Sequence, residues 1–161
     1  MRRPKGCKRS FKLARPPFND ERGNIKTVFT HLMMPIDLAH TDQQVRATAV
    51  AHDMARHYGA RLTFVGVTPA EPTSVARTPK EFAEKLSAFA HASGDDAIAT
   101  HVVQAHDPTV DMDRHLTDAV GELKADLVVM ASHIPQKFGF ASHGGRLATH
   151  TSASILLVRG T

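Results

Sequence analysis

The sequence has little of several features that mark particular classes of protein. Its 161 residues contain one cysteine, Cys7, which excludes an internal disulfide and a multi-cysteine metal site. No apolar run approaches the ~18 residues that a membrane-spanning helix requires. The amino-terminal segment also lacks the apolar core of a secretory signal. We therefore expect a cytoplasmic protein with no membrane association.

Motifs of the common catalytic and metal centres are missing as well. There is no Gly-x-Ser-x-Gly elbow, no Walker A sequence and no His-Glu-x-x-His pair. The adjacency of Ser132 and His133 does not indicate a triad, because nucleophile and base meet through space rather than along the chain. The eleven histidines are scattered without metal-ligand spacing. We predict no catalytic residues and no metal site.

Positive charge is concentrated at one end of the chain. Residues 1–26 hold nine Lys or Arg and two carboxylates, a net charge of +7, so the whole-chain value of +4 leaves −3 for residues 27–161. A mildly acidic body argues against specific nucleic-acid binding. Residues 1–26 are predicted to form a basic, mostly disordered extension. It could be a dispensable segment, an arm attracted to anionic surfaces or a transit segment.

Residues 27–161 alternate between strand-like and helix-like segments, which predicts one α/β domain. Apolar runs predict strands at 28–36, 61–67, 98–104, from Leu127 onwards and at 155–158. A capping box at Thr41–Gln44 predicts a helix start and Gly59 its carboxyl-terminal cap. Further helix starts are predicted at Thr78-Pro79 and Asp107-Pro108. This alternation favours a parallel, doubly wound sheet with right-handed crossovers.

The predicted site lies where two strands end. In doubly wound sheets, ligands bind beyond the carboxyl ends of the strands that flank the reversal of strand order. Here those ends are Pro35-Ile36-Asp37 and Ala131-Ser132-His133. A carboxylate on one side accepts hydrogen bonds from ribose hydroxyls or an amine, and loop N–H groups on the other hold phosphates. Asp37 could equally be a turn or cap residue at the strand exit.

Several stretches resemble the universal stress protein family, and together they cover about residues 27–160. They occur in the family's order and spacing: Met34 to Asp37, Gly59 to Val67, His106-Asp107-Pro108, Ala125 to His133 and His150 to Arg159. The resemblance implies a Rossmann-like fold, similar to that of adenine nucleotide alpha hydrolases. It also implies five parallel strands in the order 3-2-1-4-5 and a role in stress response.

The resemblance further implies a partner and a ligand. Family members commonly form homodimers through the last strand, here Ile155, Leu156, Leu157 and Val158. Many bind ATP or AMP, with magnesium when the ligand is ATP, and any ATP hydrolysis is slow. The implied nucleotide-binding residues are Pro35, Asp37 and Val67 around the adenosine, and Met130, Ala131, His133, Ala141 and Ser142 around the phosphates.

The phosphate loop departs from the family pattern Gly-x2-Gly-x9-Gly-Ser/Thr. The matching positions are Ala131, Ile134, Ala141 and Ser142, and six residues rather than nine separate the second from the third. Glycines let a backbone approach phosphates without a Cβ in the way, whereas Ile134 places a branched side chain there. The Ala-Ser-His-x-Pro corner resembles one subgroup of the family. The alternative is a dimeric protein that binds no nucleotide and acts through an unknown protein partner.

Overall fold

The computed structural model describes residues 27–94, 97–106, 108–132 and 143–160, and these form one five-stranded parallel sheet covered by helices on both faces. The strands are β1 (His31–Pro35), β2 (Arg61–Pro69), β3 (Ala99–Ala105), β4 (Leu127–Ser132) and β5 (Ser154–Arg159). The helices are α1 (Val45–Tyr58), α2 (Pro79–Ala92), α3 (Pro108–Leu123) and α4 (His143–His150). The strand order is β3-β2-β1-β4-β5, so the predicted fold class and topology are confirmed.

Both faces of the central strands are buried, which explains their continuous apolar runs. In β1, Leu32 and Met34 face α1 and α2, whereas Met33 faces α3 and α4. In β4, Val129 lies on the first side and Val128 on the second, and both side chains are fully buried. Because successive side chains of a strand point to opposite faces of the sheet, one strand contributes to both apolar layers.

Helix boundaries follow local chemistry at two of the predicted positions, the start of α2 and the end of α1. The Thr78 hydroxyl accepts the Glu81 N–H at 3.1 Å, as predicted for an N-cap followed by Pro at the first helical position. Gly59 ends α1 with φ of 61°, and the Ala60 N–H donates to the Ala55 carbonyl at 2.9 Å. The predicted α3 start is seen from Pro108 onwards, and Asp107 lies outside the described residues.

The predicted capping box at Thr41–Gln44 is wrong. These residues form a 3₁₀ helix, α1 begins only at Val45, and no side chain caps either helix start. A capping box needs the Gln side chain to return to the N-cap backbone. The Gln44 amide is instead bonded to Asp37 and His40.

Strand limits differ modestly from prediction. The first strand begins at His31 rather than at Val28, whose side chain lies outside the sheet and is 53% exposed. The second and fifth strands are longer than predicted, and the third is shifted by one residue. The predicted extension at residues 1–26 lies outside the described residues.

The amino-terminal ends of β1 and β4 are joined by polar side chains. Asp126 accepts hydrogen bonds from the Thr30 N–H at 2.8 Å and the Thr30 hydroxyl at 2.7 Å. The buried His31 ring contacts the Leu123 carbonyl and the Thr63 hydroxyl, each at 2.8 Å. Burial lowers the pKa of His31 below its ordinary value of 6.5. This end of the sheet is therefore structural and lies opposite the predicted site.

Candidate functional site

A cavity of about 530 Å³ opens at the carboxyl ends of β1, β2 and β4. Its volume falls in the range of small-molecule sites. Pro35 lies level with Val65 in the parallel register, and the Ile36 N–H donates to the Val65 carbonyl at 2.8 Å. The cavity is thus framed by backbone that the sheet fixes, and its position agrees with the rule for doubly wound folds.

The turn after β1 places a carboxylate at the mouth of this cavity. Asp37 Oδ1 accepts the Ala39 N–H at 2.9 Å, and Oδ2 lies 2.8 Å from His40 Nδ1. The two side chains of this pair are 60% and 59% exposed, respectively. Asp37 therefore has the turn role that the sequence left open. A carboxylate has about four acceptor sites, so it can also accept hydrogen bonds from a ligand.

The same turn raises the proton affinity of His40. The hydrogen bond to the Asp37 carboxylate, together with that negative charge, raises the pKa of His40 above 6.5. The imidazole is exposed to solvent at the mouth of the cavity. The Asp37 carboxylate thus favours the protonated form of His40, in which the two charges of the pair offset each other.

Gln44 fixes the turn from inside the protein. Its Nε2 donates to the carbonyls of Asp37 at 2.8 Å and His40 at 3.1 Å, and its Oε1 accepts the Asp37 N–H at 3.2 Å. The residue is 5% exposed and lines the cavity. Two of these three hydrogen bonds hold the backbone of Asp37, and the third holds the turn at His40.

The walls of the cavity are mainly apolar. Val67 and Met130 extend from β2 and β4, and Met112 and Leu116 contribute from α3. Phe82 of α2 closes another side, where it packs so near Gly66 that a Cβ there would collide with the ring. Such a surface suits a flat, weakly polar group such as a nucleobase.

The segment after β2 forms a further wall. The Thr73 hydroxyl accepts the N–H groups of Val75 at 3.2 Å and Ala76 at 3.1 Å. Lys85 Nζ donates to the Val75 carbonyl at 2.5 Å and pairs with Glu81 at 2.7 Å. This wall is therefore held to α2, and both Thr73 and Val75 line the cavity.

Five of the eight predicted site residues line this one cavity: Pro35, Asp37, Val67, Met130 and Ala131. The other three, His133, Ala141 and Ser142, lie outside the described residues, as does Ile134. Sequence reasoning missed Gln44, whose letters were interpreted as part of a helix cap. It also missed Met112, which lines the cavity from α3.

Two further features concern the described part of the chain. Within it, no group of three or more His, Cys, Asp or Glu side chains is placed to hold a metal ion. None of its helices combines the length and apolar character needed to cross a membrane.

Comparison with solved structures shows similar folds at low identity. A universal stress protein in complex with cAMP is 18% identical, with a TM-score of 0.58 over 83% of this chain and 99% of that one. One from Archaeoglobus fulgidus is 15% identical, with a TM-score of 0.60 over 81% and 98%. Another structure from A. fulgidus, in complex with dAMP, is 13% identical, with a TM-score of 0.54 over 81% and 98%. No curated protein matches the chain in sequence.

These low identities do not by themselves assign the chain to a family, but a match to a family model does. The model of the universal stress protein family matches residues 29–159. Among the described residues, that range includes the five strands, the four α-helices and the cavity at the carboxyl ends of β1, β2 and β4. The chain belongs to the universal stress protein family.

Proposed function

We propose that this universal stress protein takes part in a stress response and binds an adenine nucleotide in the cavity beyond β1, β2 and β4. The main observation in support is that one cavity of about 530 Å³ combines apolar walls with the Asp37 carboxylate, which its turn holds in place. Structural neighbours bind cAMP and dAMP at this level of fold similarity. The Asp37 carboxylate would accept ribose hydroxyls, and Pro35 and Val67 would contact the adenosine.

The phosphates would lie towards Met130 and Ala131 at the end of β4. His133, Ala141 and Ser142 belong to the same proposal from sequence position. Catalysis is not part of it beyond slow ATP hydrolysis, because positioned phosphates alone supply no general base. Magnesium would enter only as a partner of ATP. A cytoplasmic location completes the proposal and is tested by cell fractionation.

Native mass spectrometry of the freshly purified full chain tests nucleotide binding directly. We expect one adenine nucleotide per chain, retained from expression or taken up from added AMP or magnesium-ATP. Asp37→Ala should reduce the bound fraction, whereas Asp42→Ala should not, because Asp42 is an exposed carboxylate outside the cavity. A chain that stays empty with both nucleotides would refute the proposal.

The exposed edge of β5 favours a second function, that of a dimeric interaction protein. β5 is a terminal strand of the sheet, and its Leu157 side chain is 39% exposed. An apolar edge strand is a template for pairing with another chain, and symmetric pairing of two copies would cover it. We propose a homodimer through Ile155, Leu156, Leu157 and Val158, which could also recruit a protein partner.

Size-exclusion chromatography with light scattering tests this dimer. Leu157→Glu should give a monomer, because it places a charge on the paired edge. Val45→Glu is the matched control, since Val45 is 66% exposed and lies on α1. A monomeric wild-type chain, or a Leu157→Glu variant that stays dimeric, would refute pairing through β5.

A further inference from the structure

One wall of the cavity is a segment with few buried residues, and we call this segment, residues 70–77, the strap. It joins β2 to α2, and two of its residues, Thr73 and Val75, line the cavity. Residues 70–74 are exposed, Val75 is half-buried, and Ala76 is the one buried residue of the strap. A segment with so few buried apolar contacts opens at a lower free energy than a central sheet does.

The middle of the strap is a compact turn that can move as a unit. The Thr73 N–H donates to the Ala76 carbonyl at 2.8 Å. The Thr73 hydroxyl accepts the N–H groups of Val75 at 3.2 Å and Ala76 at 3.1 Å. Because all of these hydrogen bonds lie within four residues, displacement of the strap from the cavity need not break any of them.

Two charged side chains of α2 hold the strap in place. Lys85 Nζ donates to the Val75 carbonyl at 2.5 Å and lies 2.7 Å from Glu81 Oε1. Glu81 Oε2 accepts the Arg77 N–H at 2.8 Å. The bonds from Lys85 and from the Arg77 N–H hold the pKa of Glu81 below its ordinary value of 4.5. Both side chains of the ion pair are partly exposed to water, where such pairs contribute little stability, so the strap can be released.

We propose that the strap is a gate for the cavity and that Lys85 is the latch that keeps the gate closed. This rests on the proposed function for what passes, an adenine nucleotide, and adds how that ligand enters and leaves. The cavity lies between the strap and the turn that the buried Gln44 amide holds. Opening therefore requires less on the side of the strap. Lys85 is a positioning residue, since it is not among the described residues that line the cavity.

The reaction of a thiol inside the cavity with N-ethylmaleimide measures opening without any nucleotide. Val67→Cys, combined with Cys7→Ser, leaves one thiol in the chain and places it in the cavity wall. In this background Lys85→Met removes the ammonium but keeps an apolar side chain, so the labelling rate should rise about three- to tenfold. Lys80→Met is the matched control, because Lys80 is an exposed lysine of the same helix. Equal labelling rates in the two variants would overturn the latch.

Hydrogen exchange at single amides separates a latch from a general loss of stability. In Lys85→Met the amides of Val75 and Ala76 should exchange about three- to tenfold faster, whereas those of β1 and β4 should keep their wild-type rates. Faster exchange throughout the sheet would overturn the gate, because Lys85 would then only stabilise the fold.

Stopped-flow measurements with AMP test what the gate controls. Lys85→Met should raise the association and dissociation rates by similar factors, because a closed gate slows passage in both directions. An increase in the dissociation rate alone would overturn the gate, since Lys85 would then act only on the bound state. Failure of AMP to bind the wild type would instead overturn the proposed function, and thiol labelling and amide exchange would still decide whether the strap opens.

Discussion

Replacing Gln44 with methionine should loosen the turn that carries Asp37 while keeping a side chain of similar length. The change removes the hydrogen bonds that the Gln44 amide makes to the carbonyls of Asp37 and His40 and to the Asp37 N–H. A typical intramolecular hydrogen bond contributes a net 0.5–1.5 kcal/mol, roughly. The turn is partly open to water, so the freed groups can be rehydrated. We therefore expect a loss of about 1–3 kcal/mol in the free energy of unfolding.

Thermal and urea denaturation at pH 8 measure this loss. For a domain of this size, 1 kcal/mol corresponds to a shift of roughly 2–4 °C in Tm, so Gln44→Met should lower Tm by about 2–12 °C. Gln43→Met is the matched control, because Gln43 precedes Gln44, lines the same cavity and is exposed. Its Tm should stay close to that of the wild type.

The reasoning also predicts an effect on binding. Where Gln44→Met is still folded, AMP should bind more weakly than to Gln43→Met, because Asp37 is no longer fixed at the mouth of the cavity. Combined with Asp37→Ala, the Gln44 change should add little further loss of affinity, since both act through one carboxylate. Equal Tm values for the two glutamine variants would refute the stabilising role, and fully additive losses of affinity would refute the positioning role.

Three further predictions concern single positions. Burial lowers the pKa of His31 in the folded protein, so as the pH falls through 6.5 the His31 ring takes up a proton more readily in the unfolded chain. The free energy of unfolding, measured with urea, should therefore fall from pH 8 to pH 5. An equal fall in the wild type and in His31→Asn would contradict this. Gly59→Ala should lower the free energy of unfolding by about 1–2 kcal/mol because φ is +61°, whereas Gly121→Ala inside α3 should raise it by about 0.5–1 kcal/mol. Calorimetric Tm shifts of the same sign in the two variants would contradict this difference. Gly66→Ala should lower Tm through a collision with the Phe82 ring, worth about 1–3 kcal/mol, and Phe82→Leu should recover part of that loss if the ring is the cause.

The fold could be predicted from the sequence because its signals are local and repeated. The run from Leu127 has apolar residues at consecutive positions, so neither face of the strand is suited to contact with water. This pattern predicts a strand that is covered on both faces. The Thr78-Pro79 start uses hydrogen bonds between residues three apart, which sequence spacing specifies directly. The ends of strands were predicted less well. Val28 has the same apolar character as the residues of β1, and only the sheet register decides that it lies outside.

The candidate site was predicted in part, for a geometric reason. Parallel strands bring their carboxyl ends to one edge, so Asp37 and Ala131 could be grouped once the topology was inferred. Val67 and Met130 came only from the family resemblance. Gln44 could not be assigned to the site, because the pattern Thr-x-x-Gln fits a capping box and a glutamine bonded to the preceding turn equally well. Which one forms depends on the path of residues 37–40, and sequence spacing does not record that path.

That path has a physical cause, which links the stability of the turn to the site. Beyond Ile36, whose N–H still bonds to β2, the chain belongs to no strand until α1 begins at Val45, and it forms only a short 3₁₀ helix at Thr41–Gln44. Its backbone N–H and C=O groups still need partners next to an apolar cavity, because unpaired polar groups are costly there. A buried amide with two donors and one acceptor can satisfy three of them, and Gln44 does so. The same hydrogen bonds that stabilise the turn therefore fix Asp37. A variant that weakens the turn should consequently change ligand affinity before it unfolds the sheet.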